Sequence, residues 1–405
     1  MLDLENIFSD SAKAMKASVI RELLKLIREP GIISFAGGLP APETFPTEKI
    51  KEITSSIIER EGAFMMQYGP TEGDPNLKAQ ILKLMKNEDD YPFDNENVLV
   101  TTASQQGLDM TGKLFVNSGD TIVVGVPTYL GALQSFSAYK ANYMGIDLDE
   151  EGLITSDLEE KLEAIKKRNE KMPKFIYVIP DFQNPTGITM SLNRRNELLR
   201  IAYKFGIPIL EDSPYRALRY SGESIPTILS LDKKGYVISM YTFSKTMLPG
   251  LRLGWLVSQN KEIIQKLTII KQGTDLCTPP FTQAIAAEFV KLGHLETQIT
   301  NNVAYYKQKL KFMLNALEKE MPKIDGLSWT KPEGGMFLWV KLPDHMSADD
   351  LFPKAVKEKV AYVIGSAFHC NGKGQNTLRV NFSYSTIEDI DLGIKRLAKV
   401  IKDNA

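Results

Sequence analysis

From residue 97 to residue 244 the chain alternates two patterns of polarity: short, nearly unbroken apolar runs, and longer stretches whose apolar positions fall three or four apart. NVLVTT (97–102), DTIVVGVP (120–127), KFIYVIP (174–180), IPILED (207–212) and YVISMYTFS (236–244) predict strands. SQQGLDMTGKLFV, directly after the first, predicts a helix, as does SLNRRNELLRIAYKFG (191–206), closed by a glycine. Strands apolar on both faces, alternating with helices, predict an α/β fold with a mostly parallel sheet covered on both sides. In such sheets functional groups gather at the carboxyl ends of the strands.

The last third differs. GGMFLWVKL (334–342), VAYVIG (360–365) and NTLRVNFS (376–383) predict strands, and TIEDIDLGIKRLAKVIKDN (386–404) an amphipathic helix, together a smaller α+β unit. A chain of 405 residues is long for one small domain. The expected division is an arm over 1–48 that is part of the small domain, a large domain over 49–299 and a small domain over 300–405. The arm carries a helical pattern, ASVIRELLKLIRE (17–29), but is too short to bury a core of its own.

Composition narrows the class of partner. With 43% hydrophobic and 24% charged residues the chain is ordinary for a soluble globular protein, and a net charge of -1 offers no basic field to nucleic acid. Two cysteines, Cys277 and Cys370, argue against a disulfide scaffold and for a reducing compartment. No run is long enough to span a bilayer, and the start shows no secretory pattern, so the expected location is cytoplasmic, away from membranes. The three histidines, His294, His345 and His369, lack metal-ligand spacing, and no metal site is expected.

The polar clusters sit where strands end. Asp212 closes IPILED; it is either a turn former or a buried anion able to keep a heterocyclic nitrogen protonated, with Tyr215 three residues on. QNPTG (183–187) is a turn in which Asn184 offers a fixed amide. In TTASQQG (101–107), Ser104 and Gln105 open a helix whose first amides either are capped by Ser104 or hold a phosphate. Tyr129, in PTYLG, either packs or stacks on a planar ring. Lys245 follows an apolar strand, among Thr242, Ser244 and Thr246, a setting that can lower its pKa for Schiff-base chemistry. Arg252, beyond Pro249-Gly250, is placed to return to an anion.

Taken in order, SQQ, PTY, QNPTG, EDSPY, TFSKTMLPGLRLGW and NTLRVNFS resemble the fold-type I, pyridoxal-phosphate-dependent aminotransferases of class I/II over almost the whole chain. ASVIRELLKLIREPGIISFAGGLPAPETFP (17–46), QYGPTEG (67–73) and KQGTDLCTP (271–279) are similar to the broad-specificity 2-aminoadipate aminotransferase branch. The resemblance implies a large domain with a seven-stranded sheet, pyridoxal 5'-phosphate as cofactor, and ping-pong transfer from an L-amino acid to a 2-oxo acid such as 2-oxoglutarate. An aromatic or kynurenine aminotransferase, or a β-eliminating lyase on the same fold, is the alternative. It also implies roles. Lys245 is the Schiff-base lysine and proton carrier, Asp212 the ring-nitrogen partner, and Asn184 and Tyr215 the partners of the ring oxygen. Tyr129 stacks, while Ser104, Gln105, Thr242, Ser244 and Arg252 surround the phosphate. Arg379 clamps the substrate carboxylate, Gly38 lets substrate approach the backbone, and Tyr68 reaches a neighbouring subunit's site in a homodimer. Arg21 is either a solvated helix residue or the partner of a distal substrate carboxylate. Thr242 stands where the family usually has serine, and Gly107 where it has alanine, a change expected to weaken the helix start slightly.

Overall fold

The computed structural model describes residues 2, 4–15, 31–88 and 92–405. The helical pattern at 17–29, with Arg21, lies outside the described residues. The strands are numbered in chain order: β1 Ile33–Ser34, β2 Val98–Thr101, β3 Thr121–Val126, β4 Asn142–Asp149, β5 Gly152–Leu153, β6 Ile176–Val178, β7 Ile209–Asp212, β8 Val237–Thr242 and β9 Gly254–Ser258. β2 to β9 form one sheet in the order β2-β9-β8-β7-β6-β3-β4-β5. The pairs from β8 through β7, β6 and β3 to β4 are parallel, while β9 is antiparallel to both β8 and β2. Seven strands make the expected mixed sheet; the eighth, β5, is a two-residue strand antiparallel to β4.

The unbroken apolar runs follow from burial on both faces. Successive strand side chains point to opposite sides. Leu210, Ile238, Met240 and Leu256 enter one core, and Ile209, Val237, Tyr241 and Val257 the other. β4 escaped the pattern because it is only partly covered, with Asn142 and Leu148 exposed or half-buried. Each fully buried aliphatic side chain contributes about 1.5–3 kcal/mol, so two such cores fix the sheet firmly.

Five further strands are β10 Ser328–Trp329, β11 Phe337–Lys341, β12 Val360–Ala361, β13 Val363–Ile364 and β14 Thr377–Asn381. β10-β11-β14-β13 form an antiparallel sheet, and β1 pairs in parallel with β12, tying the chain around residue 33 to the C-terminal part. The final helix, Ile387–Lys402, is capped by Thr386 and buries Ile390, Ile394, Leu397 and Ile401 on one stripe. A single helix, His294–Glu320, runs through residue 300 and connects the two sheets.

The helix after β2, Ala103–Phe115, shows why alanine is replaced at 107. A Cβ there would lie 2.9 Å from Met240 Sδ and 3.3 Å from Leu256, so the glycine lets this helix settle close against β8 and β9. Packing against the sheet outweighs the propensity loss expected from sequence.

Candidate active site

One cavity of about 340 Å³ opens at the carboxyl ends of the parallel strands. Asp212 ends β7, Lys245 follows β8, and Ser104, Tyr129 and Asn184 come from the segments after β2, β3 and β6. All of them line the cavity, together with Gln105, Tyr215, Thr242, Ser244, Arg252, Gly38 and, from β14, Arg379. Residues separated by more than 300 positions therefore share one small space.

The carboxylate of Asp212 is almost fully buried, and Oδ2 accepts a hydrogen bond of 2.8 Å from the Tyr177 hydroxyl. Oδ1 is buried with no partner among the described residues. Desolvation lifts its pKa to about 7, against the opposing hydrogen bond from Tyr177. An unpartnered buried oxygen costs about 1–3 kcal/mol unless something else donates to it.

The opposite end of the cavity is built for an anion. Thr242 Oγ1 donates to Leu253 O at 3.0 Å and lies 2.9 Å from Ser244 Oγ, fixing both hydroxyls. Pro249–Leu251 make a tight turn, and Arg252 follows at φ 53°, a left-handed conformation that redirects the chain. Ala103, at φ 60°, makes a second such bend where the helix begins. Gly254 lets β9 lie beside that helix start, since a Cβ would sit 2.7 Å from Tyr241 O and 3.1 Å from Ser104 N. Ser104 is not the N-cap: Thr102 holds that position, and its amide is taken by Gln106 Oε1 at 2.8 Å. Ser104 and Gln105 are then first-turn residues, their N–H groups lacking partners within the helix. Gln105's side chain turns aside, donating to Ser135 Oγ at 2.6 Å and Gly131 O at 3.1 Å.

Lys245 Nζ donates to Gly38 O at 2.8 Å. Burial, then the charges of Arg379 and Arg252, bring its pKa down to about 8. Arg379 is 1% exposed; Nη1 donates to Asn184 Oδ1 at 2.7 Å and Nη2 to Ala36 O at 2.8 Å, while Nε has no partner among the described residues. Its guanidinium lies 4.2 Å from the Phe337 ring centre and 5.0 Å from that of Phe368, and burial lowers its pKa to about 10. Phe337 also meets Tyr215 edge-on at 5.7 Å, and a Cβ on Gly38 would come within 3.0 Å of its ring. Gly38 thus keeps the backbone close to an aromatic wall. Burial raises the pKa of both Tyr129 and Tyr215, and the neighbouring Asn184 amide slightly opposes the rise at Tyr215.

Tyr68 is not among the lining residues: its side chain is 80% exposed. Arg21 lies outside the described residues. Tyr177 and Phe337 were not singled out from sequence, because each sits in an apolar strand where an aromatic residue signals only core. Among the described residues no group of three or more His, Cys, Asp or Glu could hold a metal, and no helix is long and apolar enough to cross a membrane.

A half-buried amine beside an aromatic slot, a carboxylate with one unpartnered oxygen and a hydroxyl–arginine cup fit pyridoxal phosphate at three points: aldehyde, ring nitrogen and phosphate. Fold and site define a pyridoxal-phosphate-dependent aminotransferase, and the chain belongs to the aminotransferase class I and II family, whose model matches residues 38–397. Among particular proteins, it is 47% identical to aromatic-amino-acid aminotransferase 1 of Thermococcus litoralis, over 99% of this chain and 95% of that one. It is 40% identical to the 2-aminoadipate transaminase of Thermus thermophilus, over 98% and 96%. The crystal structure of Pyrococcus horikoshii kynurenine aminotransferase in complex with PMP superposes with a TM-score of 0.95 at 45% identity, covering 99% of this chain and 98% of that one.

Proposed function

We propose that this enzyme moves the amino group of an L-amino acid to 2-oxoglutarate by ping-pong exchange, with a donor range spanning aromatic amino acids, kynurenine, leucine and 2-aminoadipate. The observation that carries the reading is the convergence of Lys245, the unpartnered oxygen of Asp212 and Arg379 on one cavity. Pyridoxal phosphate, when bound, supplies an aldehyde to carry the amino group and a ring that accepts electron density from the α-carbon.

The chain's own residues do the rest. Lys245, its pKa brought down to about 8, takes the α-proton and returns it. Asp212 holds the ring nitrogen's proton, Asn184 and Tyr215 bind the ring oxygen, and Tyr129 covers a ring face. Thr242, Ser244, Arg252 and the amides of Ser104 and Gln105 hold the phosphate, aided by the helix dipole. Arg379 grips the α-carboxylate through two parallel hydrogen bonds, exchanging neutral partners for a charged one. Gly38 leaves room beside it.

The donor range is argued from the walls. The cationic residues lining the cavity are Lys245, Arg252 and Arg379, each with a task, and Gly37, Leu39, Pro40 and Phe337 leave an apolar side for the substrate's side chain. For a distal carboxylate Arg21 is the candidate offered by the family resemblance, the other reading being a solvated helix residue. Exposed Phe64, Met66 and Tyr68, clustered in one short stretch, support a homodimer in which Tyr68 reaches the second subunit's site. Residues 49–299 serve as the cofactor-holding unit and 300–405, with 1–48, as the smaller one, in a cytoplasmic enzyme of amino acid biosynthesis.

The test is a donor screen against 2-oxoglutarate with 2-aminoadipate, leucine, aromatic amino acids, kynurenine and aspartate. Glutamate should form from the aromatic donors and from 2-aminoadipate; turnover of none of them overturns the reading.

A further inference from the structure

We propose that Tyr177 is a positioning residue for the reaction, its phenol holding one oxygen of Asp212 so that the other is presented, ionised, to the cofactor's ring nitrogen. The inference rests on the reading of Asp212 as that nitrogen's partner. Tyr177 sits on β6, one strand away from Asp212 on β7, with no solvent exposure. Its hydroxyl reaches Oδ2 at 2.8 Å, and among the described residues it is the one group hydrogen-bonded to that carboxylate. Phe136 packs edge-on against its ring at 5.8 Å, which fixes the direction in which the phenol points.

The chemistry follows from which partner was chosen. A cation beside Asp212 would compete with the ring nitrogen for its charge; a phenol donates a hydrogen bond yet leaves that charge in place. Because a phenol donates most strongly to the ionised carboxylate, it opposes the protonation that burial favours. With Oδ2 occupied, the proton-accepting position on Oδ1 stays single and defined. Tyr177 therefore keeps the shared proton on the ring nitrogen, where it draws electron density, without touching cofactor or substrate.

The experiment is a cycle of Y177F, D212A and the double variant, made in the full-length holoenzyme. Two quantities are read: cofactor affinity by equilibrium dialysis, and the ring-nitrogen NMR shift of an isotope-labelled cofactor. Y177F should weaken affinity roughly tenfold, the scale of one hydrogen bond to a charged group, and move the shift toward the unprotonated form. Without the carboxylate in D212A, adding Y177F should change neither. An equal loss in both backgrounds, or an unmoved ring-nitrogen shift in Y177F, overturns the proposal. If D212A itself leaves affinity and shift unchanged, the reading of Asp212 has failed instead. Should the phenylalanine variant not fold, Tyr177→Leu, which also lacks the hydroxyl, enters the same cycle, in which packing losses cancel.

Discussion

Lys245 is an ordinary residue type made unusual by its surroundings. At its normal pKa a lysine is neutral in roughly one molecule per thousand near pH 7.5; at about 8 the neutral fraction is roughly a quarter. The direction follows from the causes, since burial and two neighbouring arginines all disfavour the charged form. Only the neutral amine attacks an aldehyde, so the rate at which cofactor-free protein takes up pyridoxal phosphate should rise with pH and reach half its limit near 8. Stopped-flow absorbance would show it, and a midpoint near 10 would remove the perturbation. Lys245→Ala should lower turnover by at least about a thousandfold while the cup at Arg252 still holds the phosphate, so that kcat falls further than cofactor affinity.

At the scale of elements, the site depends on how closely β9 lies beside the start of the helix Ala103–Phe115. Gly254 makes that contact possible, and what a side chain would meet there is backbone, which cannot rotate away. Gly254→Ala should therefore cost about 1–3 kcal/mol in thermal or denaturant unfolding, and weaken cofactor binding more than binding of a free amino acid. The sequence showed most of this level. Asp212, Asn184, Tyr129 and Lys245 all follow strands that their apolar runs announce, and motif order tied them to one ligand. What it hid were relations across the fold. Phe337 beneath Arg379, Tyr177 behind Asp212 and Met240 against Gly107 are apolar or aromatic residues whose meaning lies in their neighbours. The two-residue β5 and the half-covered β4 carry too little periodic signal to be seen.

For the whole molecule, the proposed homodimer predicts that two chains share each site. Tyr68 stands out in solvent beside Phe64 and Met66, and the dimer reading places it in a second subunit's site. Lys245→Ala and Tyr68→Ala damage different subunits' contributions to the same site. On the dimer reading Tyr68→Ala should be inactive too; when both variants are unfolded together, mixed and refolded, half the dimers should be mixed, each with one intact site of two, and activity should return to about a quarter of wild type. Separate refolding should restore none. A monomer by sedimentation, or no recovery on mixing, would place each complete site within one chain.

Asn184 has a consequence beyond its hydrogen bond with Arg379. Its one side-chain amide accepts from Arg379 with its oxygen and lies beside the Tyr215 phenol. On the proposed reading, the groups that hold the substrate and the cofactor ring thus adjoin a single side chain. Selection can vary the wall made by Leu39 and Pro40 to suit new side chains, but it cannot adjust the carboxylate clamp without disturbing the ring. The enzyme is free to change which amino acid it accepts, and bound to accept it by the same end.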